Sequence, residues 1–282
     1  MELSCWSSLY LPETLVAEFK TKGSISIKEL PTVTDFPLYR NQGVILNQSL
    51  LGIYDSVKQQ IRRLKIESVT DMKPGSNKDL QLLYDMFWNP EIKVILVDAI
   101  AGSGKTSTAM AFANYLAINP RTRTFDHLVL TRANTEVGAG HGFLPGTLEE
   151  KVEPLLGAYY QWLERLAQVS IQQLKVSETL IVQPIAYIRG MDITNSLLII
   201  DEAQNLSRHE LKTVLTRVGE NTKVVIMGDS SPNQIDVKSL NSENNGLAHV
   251  KERFYGEFDW FGYVELHECL RGPICAAATQ LL

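Results

Sequence analysis

From residue 94 onward the chain alternates short, unbroken apolar runs with stretches in which apolar residues recur every three or four positions. The runs lie at 94–97, 128–130, 180–182, 197–200, 224–227 and 263–266 and have the length of strands. Most are continuous rather than alternating, which marks strands covered on both faces. Helical periodicity fills the intervals at 106–117, 148–166 and 208–218. Strands and helices taking turns in this way predict an α/β fold, a mostly parallel sheet flanked by helices. Upstream, a helix is expected over 80–88, after the linker-like stretch Asp71-Met72-Lys73-Pro74-Gly75-Ser76-Asn77. Residues 1–72 read as an N-terminal extension, turn-rich around Pro31, Pro37 and Gly43, whose fold the pattern leaves open. Within it Leu51, Tyr54, Val57, Ile61 and Leu64 recur at helical spacing and predict a helix from Ser49 to about Leu64. Lys58, Arg62 and Lys65 recur on another face of that helix, either as a solvated face or as a phosphate-binding ridge.

Composition narrows the class. Hydrophobic residues make up 44% of the 282 and charged residues 21%, enough to bury a core without staples. The net charge of -5 excludes a protein coated in basic residues but leaves room for a local patch that binds phosphates. Cys5, Cys269 and Cys275 are odd in number and form no Cys-x-x-Cys pair, so free or buried thiols are expected. The five histidines show no metal-ligand spacing. The first residues carry no signal-peptide pattern, and no window holds the roughly 18 apolar residues of a membrane span. A cytoplasmic protein without a membrane partner is the expectation.

The chemistry concentrates after the strand at 94–97. It runs into Ala101-Gly102-Ser103-Gly104-Lys105-Thr106-Ser107 and then into a helix. Glycines let the backbone curl so that successive N–H groups point at a phosphate, and the helix start adds its positive dipole end. Lys105 is placed to reach the β- and γ-phosphates, and the Thr106 hydroxyl to coordinate Mg²⁺. This is a Walker A loop for a nucleoside triphosphate, with Ala99 where the usual motif opens on glycine.

A second motif ends the strand at 197–200 in Asp201-Glu202-Ala203-Gln204, a Walker B pattern. Carboxylates at that end of a parallel strand face the crevice that holds the P-loop. Asp201 is read as a holder of the Mg²⁺ shell and Glu202 as the group that orients and polarises the attacking water. After the strand at 224–227, Asp229, Gln234 and Asp236 offer a γ-phosphate sensor or, alternatively, ordinary turn residues.

Together these pieces resemble the PhoH-like family of P-loop ATPases, related to the RecA-like core of superfamily-one helicases. The likeness runs from about 73 to 282. It includes Thr131-Arg132-Ala133-Asn134-Thr135-Glu136-Val137-Gly138, Gly142 to Gly146, Glu150 to Pro154, Tyr187-Ile188-Arg189-Gly190, Asp201 to Asn205, Leu215-Thr216-Arg217 and Gly228-Asp229. Departures are Ala99, Ala133 for a frequent proline, a longer spacer Ser230-Ser231-Pro232-Asn233 before Gln234, and Asn245 for a common serine. The resemblance implies an ATP-binding core with Mg²⁺ over 73–282 and hydrolysis of the bound ATP. It implies that Gln81 reads the adenine edge and that Arg271 is the family's C-terminal arginine. It further implies coupling to remodelling or unwinding of nucleic acid, single-stranded RNA or DNA. A single core leaves its site open on one side, so a homo-oligomeric ring such as a hexamer is expected, with Arg271, Arg217 or Arg189 acting in trans. The alternative is an ATP-dependent oligomeric switch or scaffold with little turnover. A small-molecule kinase would need an arginine-rich lid, for which Arg121 and Arg123 are too few.

Overall fold

A computed structural model describes residues 3–30, 38–133 and 153–281. Along the chain run β1 (Trp6–Leu9), α1 (Glu13–Lys22), β2 (Ser24–Ser26), β3 (Gly43–Leu46), β4 (Leu50–Asp55), β5 (Gln60–Arg63) and α2 (Lys78–Trp88). There follow β6 (Val94–Ala99), α3 (Lys105–Ala113), β7 (His127–Arg132), α4 (Gly157–Ala167), α5 (Ile171–Val176), β8 (Leu180–Val182) and α6 (Ile185–Ile188). The rest comprises β9 (Ser196–Asp201), α7 (Arg208–Leu215), β10 (Lys223–Gly228), α8 (Gly246–Phe254), β11 (Phe261–Leu266) and α9 (Pro273–Leu281). The described chain packs as two compact units, one of Met1–Ser68, Lys73–Leu96 and Val250–Glu265, the other of Val69–Met72, Val97–His249 and Leu266–Leu282.

The first unit contains a five-stranded sheet in the order β1-β3-β4-β5-β2. β1 lies parallel to β3, and the other pairs are antiparallel. Leu9, Phe19, Ile25, Val44, Leu46 and Ile61 form its core, with Leu15 and Val16 of α1 packed against it. The expected helix from Ser49 to about Leu64 is therefore wrong: these residues are the β4–β5 hairpin. Tyr54 pairs with Ile61 and Asp55 with Gln60 across it. The helical spacing was coincidental, since Val57, one of the supposed stripe, is 73% exposed at the turn. Local chemistry selects the turn, because the Asp55 carboxylate accepts the Lys58 N–H at 3.0 Å and Gln59 sits at φ 52°. Gly52 confirms the tight pairing, as a Cβ there would lie 2.8 Å from Ile61 Cγ2 and 2.9 Å from the Arg62 carbonyl.

The basic ridge dissolves with the helix. Arg62 turns inward onto Asp85, donating from Nη1 at 2.6 Å and Nη2 at 2.9 Å. Asp85 is fully buried and also accepts the Lys65 backbone N–H at 2.7 Å. Removing one member of a buried pair strands the other charge. Asp85→Ala is expected to cost about 3–5 kcal/mol, read as a shift of the urea unfolding midpoint. A loss below about 1 kcal/mol would mean that solvent reaches Arg62 and that the pair is a surface one.

The six-stranded sheet has the order β11-β6-β10-β9-β7-β8. The β10–β9, β9–β7 and β7–β8 pairs are parallel. β9 and β10 are buried at every position, as their unbroken apolar runs require. All six expected strands are present, and the fold is the α/β type with a mostly parallel sheet flanked by helices. The helices are trimmed at their ends. The stretch expected over 106–117 is α3 followed by a single π turn, Asn114–Ile118, in which the Asn119 N–H reaches the Asn114 carbonyl at 2.7 Å. The stretch at 208–218 stops at Leu215, where Arg217 and Val218 close three-residue turns. Of 148–166, residues 148–152 lie outside the described residues, 153–156 form a 3₁₀ turn, and α4 begins at Gly157. Pro31 and Pro37, and the motif positions from Asn134 to Val152, also lie outside the described residues.

Candidate functional site

The site is built where β6, β7 and β9 end. β6 delivers the chain into a loop that reverses through Gly102 (φ 74°) and Gly104 (φ 92°), both in the left-handed region that glycine adopts without strain. Gly104 caps α3, which begins at Lys105, so the helix's unpaired N–H groups open toward the loop. The Ser103 hydroxyl ties the loop to the Ile100 carbonyl at 2.7 Å, and the Ser107 hydroxyl ties the helix start to the Gly104 carbonyl at 3.0 Å. Ala99, the departure from the usual motif, ends β6 as a buried residue with negative φ, where a methyl group is accepted. The Lys105 ammonium donates to the Ala99 carbonyl at 3.1 Å.

β9 brings Asp201 to the same end of the sheet, and the register pairs it with Arg132 at the end of β7. Arg132 is an ion-pair partner of both Walker B carboxylates, at 3.4 Å from Asp201 and 3.0 Å from Glu202, and it also donates to the Leu155 carbonyl. Glu202 stands in the left-handed conformation at φ 54°, a strained position for a non-glycine residue and one that re-aims its side chain at the strand end. Its second carboxylate oxygen accepts from the Gln204 amide at 2.6 Å. Gln204, fully buried, also accepts the Asp229 N–H at 3.1 Å and donates to the Gln234 carbonyl at 3.1 Å.

Three polar atoms here are buried without a well-formed hydrogen bond among the described residues: Asp201 Oδ1, the Tyr159 hydroxyl that lies against it, and Arg132 Nε. Such a cluster is rare unless something else satisfies it. Burial pushes the Asp201 carboxyl up from its ordinary value; the Arg132 charge pulls it back, Glu202 opposes, and the Tyr159 hydroxyl and Lys105 assist. Tyr159 on α4 lies between Asp201 and Thr106, and burial, then the Asp201 charge, hold its hydroxyl well above the ordinary phenol range. A hard divalent cation with its water shell fits this deficit, with Asp201 and the Thr106 hydroxyl as oxygen ligands.

The other expected residues are placed differently. The Asp229 carboxylate is engaged by the N–H and hydroxyl of Ser231, at 3.1 and 2.5 Å. Gln234 contributes its backbone carbonyl to Gln204 and Asn205 rather than a side-chain contact toward the P-loop. The longer spacer is anchored by Ser230, whose N–H and hydroxyl bond the Asp98 carboxylate at 2.9 and 2.5 Å. Gln81 belongs to α2 and donates to the Gly75 carbonyl at 2.7 Å. Arg271 is exposed and follows Leu270, whose N–H donates to the Gly102 carbonyl at 2.9 Å. Its Cβ stands 3.2 Å from where a Cβ on Gly102 would be, so it flanks the P-loop of its own chain. Two departures have local reasons. The Ala133 N–H, which a proline would lack, donates to the Asp201 carbonyl at 3.1 Å. Asn245 accepts the Ala248 N–H at 2.9 Å at the start of α8, a task that asparagine and serine do equally well.

Sequence reasoning missed Arg132, Tyr159 and Asp98 as site residues. Arg132 is a charged residue ending an apolar strand, but only the β7–β9 register sets it opposite Asp201. Tyr159 had no signal, because only packing brings α4 under Asp201.

The sequence profile described as "PhoH-like protein" matches residues 73–282. Protein PhoH2 of Bacillus subtilis (strain 168) is 34% identical over 292 aligned residues, covering 99% of this chain and 64% of that protein. A PhoH-like protein of Synechocystis sp. (strain ATCC 27184 / PCC 6803 / Kazusa) is 42% identical over 130 residues, covering 46% of this chain and 39% of that one. The chain thus spans less than two thirds of the length of these relatives. Among solved structures, Pif1 from Bacteroides sp in complex with ADP-AlF4 aligns with 72% of this chain and 44% of its own, at 20% identity and a TM-score of 0.32. Among the described residues, no helix is long and apolar enough to cross a membrane.

Proposed function

The chain belongs to the PhoH-like family, and from that premise we propose that it is a P-loop NTPase, a Mg²⁺-dependent ATPase that couples hydrolysis to remodelling or unwinding of single-stranded nucleic acid, RNA foremost. The observation that carries the reading is the buried Asp201 carboxyl at the end of β9, one oxygen of it without a well-formed hydrogen bond, with Lys105 of the P-loop close by and Tyr159 between it and Thr106. When bound, Mg²⁺ would supply neutralisation of the charge that develops on the phosphates. The loop amides and Lys105 hold the phosphates, Thr106 and Asp201 hold the cation, and Glu202 orients the water and draws its proton. Arg271, beside its own P-loop, is suited to the phosphate chain in cis, while the exposed Arg217 and Arg189 remain the trans candidates in a ring. Gln81 is assigned to the adenine, and residues 1–72 to an extension of the ATPase core over 73–282.

Arg132 supports the polymer coupling. Besides its grip on Glu202, it lines an open hollow of about 460 Å³ together with Arg189, Asn205 and Thr213, in which Glu210 is the opposing charge. An anionic backbone docked there would compete for Arg132 and free the Glu202 carboxylate. The test is steady-state ATP hydrolysis with Mg²⁺, with and without single-stranded RNA or DNA. Stimulation by RNA is expected, and rates indifferent to both polymers would sink the coupling. The same ion pair favours the second reading, a nucleotide-operated switch, because both Glu202 carboxylate oxygens are engaged, one by Arg132 and one by Gln204, rather than turned to a water. Tight ATP binding with no turnover under any condition would decide for the switch, and sedimentation with and without ATP would decide for or against the ring.

A further inference from the structure

The three cysteines differ sharply in setting. Cys5 is buried, and burial pushes its thiol up to about 12, so it carries no thiolate at neutral pH. Cys269 and Cys275 are half-buried and converge on the P-loop. A Cβ built on Gly102 would stand 2.7 Å from each of their sulfurs, so both thiols crowd the same face of that glycine. The chain turns back between them at Gly272 (φ 134°), and Cys275 lies in the first turn of α9. The Cys275 sulfur is also 3.9 Å from the Ala101 carbonyl. Hydrogen bonding from the Cys275 thiol lowers the pKa of Cys269; burial opposes it, and the neighbouring backbone amides and the Arg271 charge add to the lowering. Cys275 is shifted up by the same contact, so the first thiolate to form is that of Cys269.

We propose that Cys269 and Cys275 form an oxidation site for peroxides, and that their disulfide, closing against Gly102, weakens nucleotide binding. The effect on binding rests on the reading that this loop holds a nucleotide. The Cys269 thiolate attacks one peroxide oxygen, the O–O bond breaks, and a sulfenic acid and hydroxide result. The Cys275 sulfur then attacks the Cys269 sulfur. The S–S bond forms, the S–O bond breaks, and the hydroxyl leaves with the Cys275 proton as water. The proton that left Cys269 on ionisation neutralises the first hydroxide. One peroxide is reduced to two waters, and two thiols are oxidised to one disulfide. Drawing the sulfurs to about 2.05 Å rearranges the wedge they form on Gly102 and shifts the Cys275 sulfur from its place beside the Ala101 carbonyl. It also constrains the segment that carries Arg271 and the Leu270 bond to the Gly102 carbonyl. Loop amides that must all point at one phosphate tolerate little displacement.

The experiment uses the full chain, exposed to hydrogen peroxide and then freed of it. A non-reducing peptide map and a titration with a fluorescent ATP analogue and Mg²⁺ are run on the same sample. The map is expected to show Cys269 joined to Cys275 with Cys5 still a thiol. Affinity should fall about fivefold or more, recover with dithiothreitol, and show no peroxide response in Cys275→Ser. Complete disulfide formation with unchanged affinity overturns the effect on binding, and oxidation of Cys5 before the pair overturns the site. A reduced protein that binds no nucleotide overturns the reading of the loop and the effect on binding with it, while the peptide map still decides the oxidation site.

Discussion

Replacing Glu202 by glutamine is expected to leave ATP bound with Mg²⁺ while slowing its hydrolysis by about 10²–10⁴-fold. The substitution keeps the shape of the side chain and lets its carbonyl oxygen accept from Arg132, which now reaches a carboxylate oxygen at 3.0 Å. What it removes is the charge that polarises a water and receives its proton. A small structural cost follows from the second oxygen, because the Gln204 amide that donates to it at 2.6 Å would meet an amide nitrogen instead. Gln204 cannot simply reverse, since its own oxygen accepts the Asp229 N–H. Thermal unfolding of the variant therefore belongs beside the kinetics, to separate lost chemistry from a loosened strand end. Single-turnover hydrolysis at saturating ATP is the decisive reading. A rate equal to that of the unaltered protein would take the water-orienting role away from Glu202.

Lys105→Ala should act at the earlier step. The ammonium donates to the Ala99 carbonyl at 3.1 Å, a neutral acceptor that a phosphate oxygen would displace. A hydrogen bond to a charged group contributes about 1.5–3 kcal/mol, which corresponds to roughly 10–150-fold in the dissociation constant. Calorimetric titration with ATP and Mg²⁺ measures it directly. Lys105→Met, which keeps the apolar stem, should lose nearly as much, because the charge carries the contact rather than the packing. Unchanged affinity in both variants would mean that the nucleotide does not sit in this loop.

The sequence disclosed the six-stranded sheet because its strands are buried on both faces and read as unbroken apolar runs. It disclosed the P-loop because glycine and lysine are constrained by position in a phosphate cradle. The hairpin at Leu50–Arg63 was misread, since Leu51, Tyr54 and Ile61 happen to satisfy a helical period while the signal that decides it, an Asp55 turn with Gln59 in the left-handed region, is a matter of three or four residues. Arg132 was legible only through strand register, which no single-strand pattern contains. Tyr159 and the two cysteines at Gly102 reach Asp201 and the P-loop through tertiary packing across more than 40 positions, a range over which local patterning is silent.

The weaving of the chain between its two compact units bears on how the protein is made. Residues 6–63 hold all five strands of the first sheet in one continuous stretch, so that sheet can close early as the polypeptide leaves the ribosome. The six-stranded sheet cannot, because its edge strand β11 is the last strand of the chain, about 200 residues after β5. At ordinary elongation speeds of about 5–20 residues per second, β6 waits on the order of ten seconds for the strand that covers its outer side. During that interval the outer edge of β6 is unpaired, and slower elongation or scarcer chaperone is expected to lower the yield of native protein.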